Sequence, residues 1–161
     1  MSGVVALAAA ALATLSPWAA GGDVLEVGQP APPFSISTLD GQSLSGNFHG
    51  RPAYINVFAT WCTPCRRELP GILGVVRRYR DRIAVIFVDE QDPPQSVERF
   101  AASYGVATPV AVDRGQFAAT FAVGGLPWSI FIDRYGIVAD VYRGSIPSDV
   151  LGAELSKLTS S

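Results

Sequence analysis

Ala53-Tyr54-Ile55-Asn56-Val57-Phe58-Ala59-Thr60-Trp61-Cys62-Thr63-Pro64-Cys65-Arg66-Arg67-Glu68-Leu69-Pro70 is the stretch on which the reading of this chain turns. Its first seven residues are bulky and almost wholly apolar, which predicts a buried strand. From Pro64 the pattern changes: Leu69, Ile72, Leu73 and Val76 recur at i, i+3, i+4 and i+7, which predicts a helix from Pro64 to about Arg80. Two cysteines, Cys62 and Cys65, stand where strand hands over to helix, and they are the only cysteines in the chain.

Around that core the chain alternates. Phe34, Ile36 and Leu39 alternate with polar residues ahead of Asp40-Gly41, a hairpin signal. Ile83 to Val88 is a second buried strand. Ser96 to Tyr104 is a short helix ended by Gly105, Val110 to Val112 a short strand, and Phe117 to Phe121 a short helix. Trp128 to Ile132 and Ile137 to Tyr142 form an antiparallel hairpin across Asp133-Arg134-Tyr135-Gly136, and Val150 to Leu158 is a closing helix. Strands alternating with helices predict an α/β domain: one mixed central sheet with helices on both faces.

The chain has 161 residues, enough for one ordinary domain. Its 12 Lys+Arg against 14 Asp+Glu leave a net charge of −2, which argues against nucleic acid as a partner. The excess of apolar residues behind the 48% apolar and 16% charged composition lies at the start. Gly3 to Leu15 is an apolar run broken only by Thr14, followed by Ala19-Ala20-Gly21-Gly22. Its length suits a signal-peptide core, with Ala19 and Gly21 small enough for a cleavage site, although no Lys or Arg precedes it. Residues 1–22 are therefore expected to be a signal peptide or N-terminal membrane anchor, and 23–161 the folded domain.

Three readings of the cysteine pair compete. A structural disulfide closing so small a loop would add only about 2 kcal/mol. A metal site needs three or four ligands, and beyond two thiols the chain offers His49, expected in a loop before Gly50, and no second Cys or Cys/His pair. Redox catalysis fits the placement better. A thiol at a helix N-terminus is favoured as thiolate, the attacking species in disulfide exchange, and a second thiol one turn on can resolve the mixed disulfide. Cys62 is the expected nucleophile and Cys65 the resolving thiol. Pro64 in the first turn removes no helix hydrogen bond.

With these residues in view the sequence resembles the exported thioredoxin-fold proteins of the TlpA/ResA type. Gln29-Pro30-Ala31-Pro32 with Phe34 and Leu39-Asp40-Gly41 resembles the lead-in of that group, which AhpC/TSA-type redoxins share. Arg51-Pro52 followed by Tyr54 to Cys62 resembles its first core strand. Cys65-Arg66-Arg67-Glu68-Leu69-Pro70 resembles its active helix, and Gly125-Leu126-Pro127 its cis-proline loop. The resemblance runs from about Val27 to Leu158. It implies a thioredoxin fold with an N-terminal β-hairpin and a central helix–strand insertion, for which Ser96 to Val112 is the candidate. It implies a redox-active Cys62–Cys65 disulfide, and a cis Pro127 that packs against it and helps hold the substrate chain, with the Gly124-Gly125 pair allowing a close backbone approach. Trp61, Thr63, Pro64, Leu126 and Trp128 complete the implied substrate contacts.

Asn56 stands where thioredoxin has a buried Asp, and an amide cannot take a proton. Glu68, three residues after Cys65 and so on its helix face, is the better candidate for proton exchange with Cys65. The competing reading of Glu68 is a solvated carboxylate paired with Arg66 or Arg67. Trp128 follows Pro127 where Thr is common, so its ring is expected to reshape the substrate groove; Phe58 replaces a usual Trp. Six of the 12 basic residues, Arg66, Arg67, Arg77, Arg78, Arg80 and Arg82, lie on the active helix and its end, either as a solvated face or as a steering surface for acidic partners.

The activity implied is reduction of disulfides in extracytoplasmic proteins. No cofactor or metal is implied. The implied partners are a disulfide-bearing protein substrate, with apocytochrome c or another exported oxidase component suggested, and a membrane thiol reductase as electron donor, the chain acting as a monomer in the periplasm. The rival readings are a dithiol oxidase or isomerase, a peroxidase and a copper carrier. Thr63-Pro64 lacks the His of strongly oxidising relatives. The peroxidase pattern wants Pro seven and Thr three residues before the Cys, where this chain has Ile55 and Ala59. The copper carrier wants a Cys-x-x-x-Cys and a downstream His.

Overall fold

The computed structural model describes residues 25–46, 48 and 50–160. The expected export segment, residues 1–22, and His49 lie outside them. A five-stranded mixed sheet forms the centre, in the order β5-β4-β3-β6-β7. Its strands are β3 (Ala53–Phe58), β4 (Ala84–Glu90), β5 (Val110–Asp113), β6 (Trp128–Ile132) and β7 (Val138–Arg143). β3 and β5 each pair parallel to β4, whereas β6 pairs antiparallel with both β3 and β7. Ahead of the sheet, β1 (Ser35–Ser37) and β2 (Ser43–Ser45) make the expected hairpin. The helices are α1 (Thr63–Val76), α2 (Pro94–Tyr104), α3 (Gln116–Thr120) and α4 (Ser148–Ser160).

Strand β3 is buried on both sides and its residues divide by parity, as pleating requires. Tyr54 and Phe58 join Leu69, Ile72, Phe100, Leu151 and Leu155 under α1, α2 and α4. Ala53, Ile55 and Val57 join Phe117, Phe121 and Ile36 on the opposite face, under α3 and the hairpin. Both cysteines belong to the first cluster. Gly71 lets α4 come close to α1, since a Cβ there would collide with the Ser148 hydroxyl.

The β5 edge and the start of the β7 edge are covered, which shortens the unpaired strand faces that invite aggregation. Beyond β1, Leu39 N–H donates to the Val110 carbonyl of β5 at 2.8 Å. The proline-rich lead-in covers the start of β7: Gly28 N–H donates to Val138 O, and Val138 N–H to Gln29 O. The helix–strand insertion is α2 with β5, and it supplies one edge of the sheet.

The active helix is shorter than its sequence pattern predicts. It ends at Val76, not near Arg80. From there Arg78 and Tyr79 donate to carbonyls three residues back, and the chain turns into β4. The Arg-rich end therefore lies in turns. It is fixed by Arg51, whose guanidinium bonds the carbonyls of Arg80 and Ile83, at 3.2 and 2.9 Å.

Leu155 is fully buried where α4 packs on the sheet and α1. Leu155→Ala is expected to cost about 2–5 kcal/mol, the usual range for a buried Leu truncated to leave a cavity. A urea midpoint lowered with unchanged slope would check it.

Candidate active site

Strand β3 delivers the chain into a tight turn, Ala59 to Cys62, closed by Cys62 N–H donating to Ala59 O at 3.1 Å. Cys62 then caps α1: its backbone is extended (φ −71°, ψ 104°) and its sulfur accepts the Cys65 N–H at 3.3 Å. Cys62 and Cys65 are joined as a disulfide with Cα atoms 5.3 Å apart. Exposure does not separate the two, at 4% and 3%. Hydrogen bonding does. Among the described residues only Cys62 receives a helix-terminal N–H, and once the bond is reduced that donor and the helix dipole would hold its thiolate.

Trp61 is 68% exposed and Thr63 is exposed beside it, so two open side chains flank Cys62. Pro64 is half-buried in the first turn of α1. The Leu126–Pro127 peptide bond is cis. Pro127 is buried, and its carbonyl accepts from Gly144 N–H at 2.8 Å, while Leu126 packs partly buried against both core clusters. No crowding within the chain requires the Gly124-Gly125 pair: a Cβ on either would meet nothing within 4 Å.

Trp128 lies elsewhere than expected. Its ring is 5% exposed and belongs to the cluster under α3, on the sheet face opposite the cysteines. Arg143 covers it, with the guanidinium 4.8 Å from the ring. As the first residue of β6 it must face one side or the other, and strand parity turns the ring inward with Ile130 and Ile132. The ring does not reshape a surface groove. Phe58 is a core aromatic, stacked on Phe100 at 5.4 Å.

Glu68 is half-buried, and its partners among the described residues include Ile146 and Asn56 in place of the expected Arg66 or Arg67. Its Oε2 accepts Ile146 N–H at 2.8 Å, and its Oε1 takes the Asn56 amide at 3.5 Å. Burial pushes its carboxyl up to about 7, against the lowering effect of those hydrogen bonds. Asn56 also donates to Trp128 O at 3.4 Å. Next to it on β3, Tyr54 is fully buried with its hydroxyl on Ser129 Oγ at 2.9 Å, and burial raises its ionisation above the usual range. Asn56 faces Ser129 directly across β3 and β6. Sequence reasoning missed Ile146, Tyr54 and Ser129 as parts of this polar network. Ile146 contributes only a backbone N–H, which no residue pattern announces.

A cleft of about 650 Å³ lies between the hairpin and the start of α2, lined by Thr38, Leu39, Asp92, Glu98, Asp113 and Arg114 among others. Neither it nor a smaller one near Asp133 touches the cysteines or Pro127. Among the described residues no group of three His, Cys, Asp or Glu could hold a metal ion.

The fold carries a buried strand, a Cys-x-x-Cys at a helix N-terminus and a cis-proline just ahead of β6. The AhpC/TSA family model matches residues 27–141. The chain belongs to the AhpC/TSA family. Within it the chain is a thiol-disulfide oxidoreductase of the ResA/DsbE type. It is 31% identical over 138 residues to the thiol-disulfide oxidoreductase ResA of Bacillus thuringiensis, covering 84% of this chain and 80% of that one. It is 31% identical over 126 residues to the thioredoxin-like protein YneN of Bacillus subtilis, covering 76% and 74%. Among solved structures, MTB DsbF superposes with a TM-score of 0.74 at 31% identity, over 78% of this chain and 95% of that one. A thiol:disulfide interchange protein of the thioredoxin family from Chlorobium tepidum gives 0.75 at 25% identity, over 83% and 98%. This AhpC/TSA-family oxidoreductase therefore has the thioredoxin fold.

Proposed function

We propose that this oxidoreductase runs as a reductant of disulfides in other proteins outside the cytoplasm. The observation that carries the chemistry is the Cys65 N–H on the Cys62 sulfur at the start of α1. It marks Cys62 as the group best held as a thiolate. The Cys62 thiolate attacks one sulfur of a substrate disulfide. A Cys62–substrate bond forms as the substrate bond breaks, and one substrate thiolate leaves. Cys65 gives its proton to Glu68 and attacks the Cys62 sulfur, and the second substrate thiolate leaves. Two electrons have passed to the substrate, and Cys62–Cys65 is again a disulfide.

A protein is the substrate this reading favours, because the exposed Trp61 and Thr63 flank Cys62 and neither cleft reaches the disulfide. Trp61, Thr63, Pro64, Leu126 and Pro127 are its contacts; the inward ring of Trp128 is not. Export rests on residues 1–22, as a signal peptide or an anchor. Among the described residues no helix is long and apolar enough to cross a membrane. A membrane thiol reductase would return the two electrons, and an exported protein such as apocytochrome c would receive them. No cofactor takes part.

Direction is tested with one peptide in two forms. Reduced protein mixed with the peptide disulfide should transfer its electrons nearly to completion. Oxidised protein mixed with the peptide dithiol should transfer few. The opposite asymmetry would make it an oxidant.

A further inference from the structure

Thr60 and Trp61 are the two central residues of the turn that presents Cys62. The Thr60 N–H is not needed to close that turn, and it does not go unpaired. It donates to Asp92 Oδ2 at 2.7 Å. Asp92 comes from another part of the chain, the loop between β4 and α2. Its own N–H donates to Asp89 Oδ1 at 2.9 Å, and Asp89 is fully buried in β4, in register beside Phe58 at the end of β3. Between the two, Gln91 has φ +68°, a left-handed conformation disfavoured for any residue with a Cβ. Such a conformation persists where its surroundings over-determine it, and these sites concentrate at functional positions. Gln91 is held there by its N–H on the Asp113 carbonyl at 3.2 Å. Asp89 anchors the segment and Gln91 bends it.

We propose that Asp92 is a positioning residue for thiol–disulfide exchange with proteins: its carboxylate pins the Thr60 amide and thereby fixes the turn that offers Trp61 and Cys62 to the partner. The proposal rests on the oxidoreductase reading and adds a determinant of partner engagement to the same site. Trp61 is largely exposed, so its place is set by its turn more than by packing. A displaced contact group costs rate even when the reacting atoms are intact. The requirement is for an acceptor, so an amide oxygen can replace the carboxylate. Proline at position 60 removes the donor yet suits the second place of a turn.

The full-length reduced protein is assayed against a small aromatic disulfide, 5,5′-dithiobis(2-nitrobenzoate), and against insulin. Asp92→Ala should react with the small disulfide within about twofold of wild type and reduce insulin about tenfold more slowly. Asp92→Asn should restore insulin reduction to within about twofold of wild type. Thr60→Pro should be as slow as Asp92→Ala, and the double variant no slower than either, because both remove one interaction. Insulin reduction by Asp92→Ala at the wild-type rate, an Asn variant as slow as Ala, or two defects that multiply would overturn the proposal. If Asp92→Ala does not fold, Asp92→Asn and Thr60→Pro decide it by the same criteria. A wild-type protein inert toward the small disulfide would sink the oxidoreductase reading, and this proposal with it.

Discussion

Cys65→Ser, reduced and mixed with a disulfide-bearing protein, should accumulate a mixed disulfide through Cys62; Cys62→Ser should accumulate none. The two sulfurs are equally buried in the oxidised protein, so accessibility does not assign the roles. The assignment comes from the helix. Cys62 is outside the first turn, with the Cys65 N–H aimed at its sulfur and the N-terminal end of α1 behind it. Cys65 lies inside the turn and has no such donor among the hydrogen bonds seen. That donor and the helix end favour Cys62 as the thiolate present at neutral pH, and when Cys65 later attacks the Cys62 sulfur the substrate thiolate is the group that leaves. Turnover should fall in each variant by at least about a thousandfold, since the two thiols act as a unit. Non-reducing electrophoresis separates the outcomes. A mixed disulfide in Cys62→Ser and none in Cys65→Ser would reverse the roles.

Glu68→Gln should slow release of the mixed disulfide about a hundredfold at pH 8 and flatten its pH dependence around 7. In the folded protein the carboxyl titrates near 7, because burial disfavours its charge. Below that pH it already holds a proton and cannot take one from Cys65. Above it the carboxylate is ready. The resolving step should therefore quicken as pH rises through about 7, and an amide cannot follow. Stability should move the opposite way. The folded-state pKa lies above the unfolded value, so between about 4.5 and 7 the native state binds more protons and loses stability as pH rises. Glu68→Gln keeps an oxygen for Ile146 N–H and removes that loss, so its thermal midpoint should match wild type at pH 4 and exceed it at pH 8. Stopped-flow release at several pH values reads the first effect and thermal melts the second. A pH–rate profile unchanged in the variant would remove Glu68 from the mechanism.

The fold was legible because its decisive signals are local. Strand, turn, thiols and helix follow one another between Ala53 and Val76, and each carries its own pattern. The cis bond at Pro127 was expected only from the family resemblance, since no local pattern distinguishes a cis proline from a trans one. What escaped the sequence is set by tertiary geometry. Strand β6 is buried on both faces, so alternation could not say which way Trp128 points. The helix pattern continues past Val76 because Tyr79 is also partly buried, although its backbone has left the helix. Glu68 could be proposed from its spacing to Cys65. Its partner Ile146, 78 residues away, could not, because a backbone N–H belongs to every residue but proline. Asp92 was invisible likewise: nothing in Asp89-Glu90-Gln91-Asp92 shows that its carboxylate reaches a turn 32 residues earlier.

The central claim is that Cys62 and Cys65 form a reducing couple. The most direct test equilibrates the protein with thiol–disulfide buffers of graded potential and counts free thiols by labelling, with Trp61 fluorescence as a second readout. The account predicts a midpoint near the thioredoxin value, about −270 mV. A midpoint near about −120 mV would mark a dithiol oxidant and contradict the proposed direction.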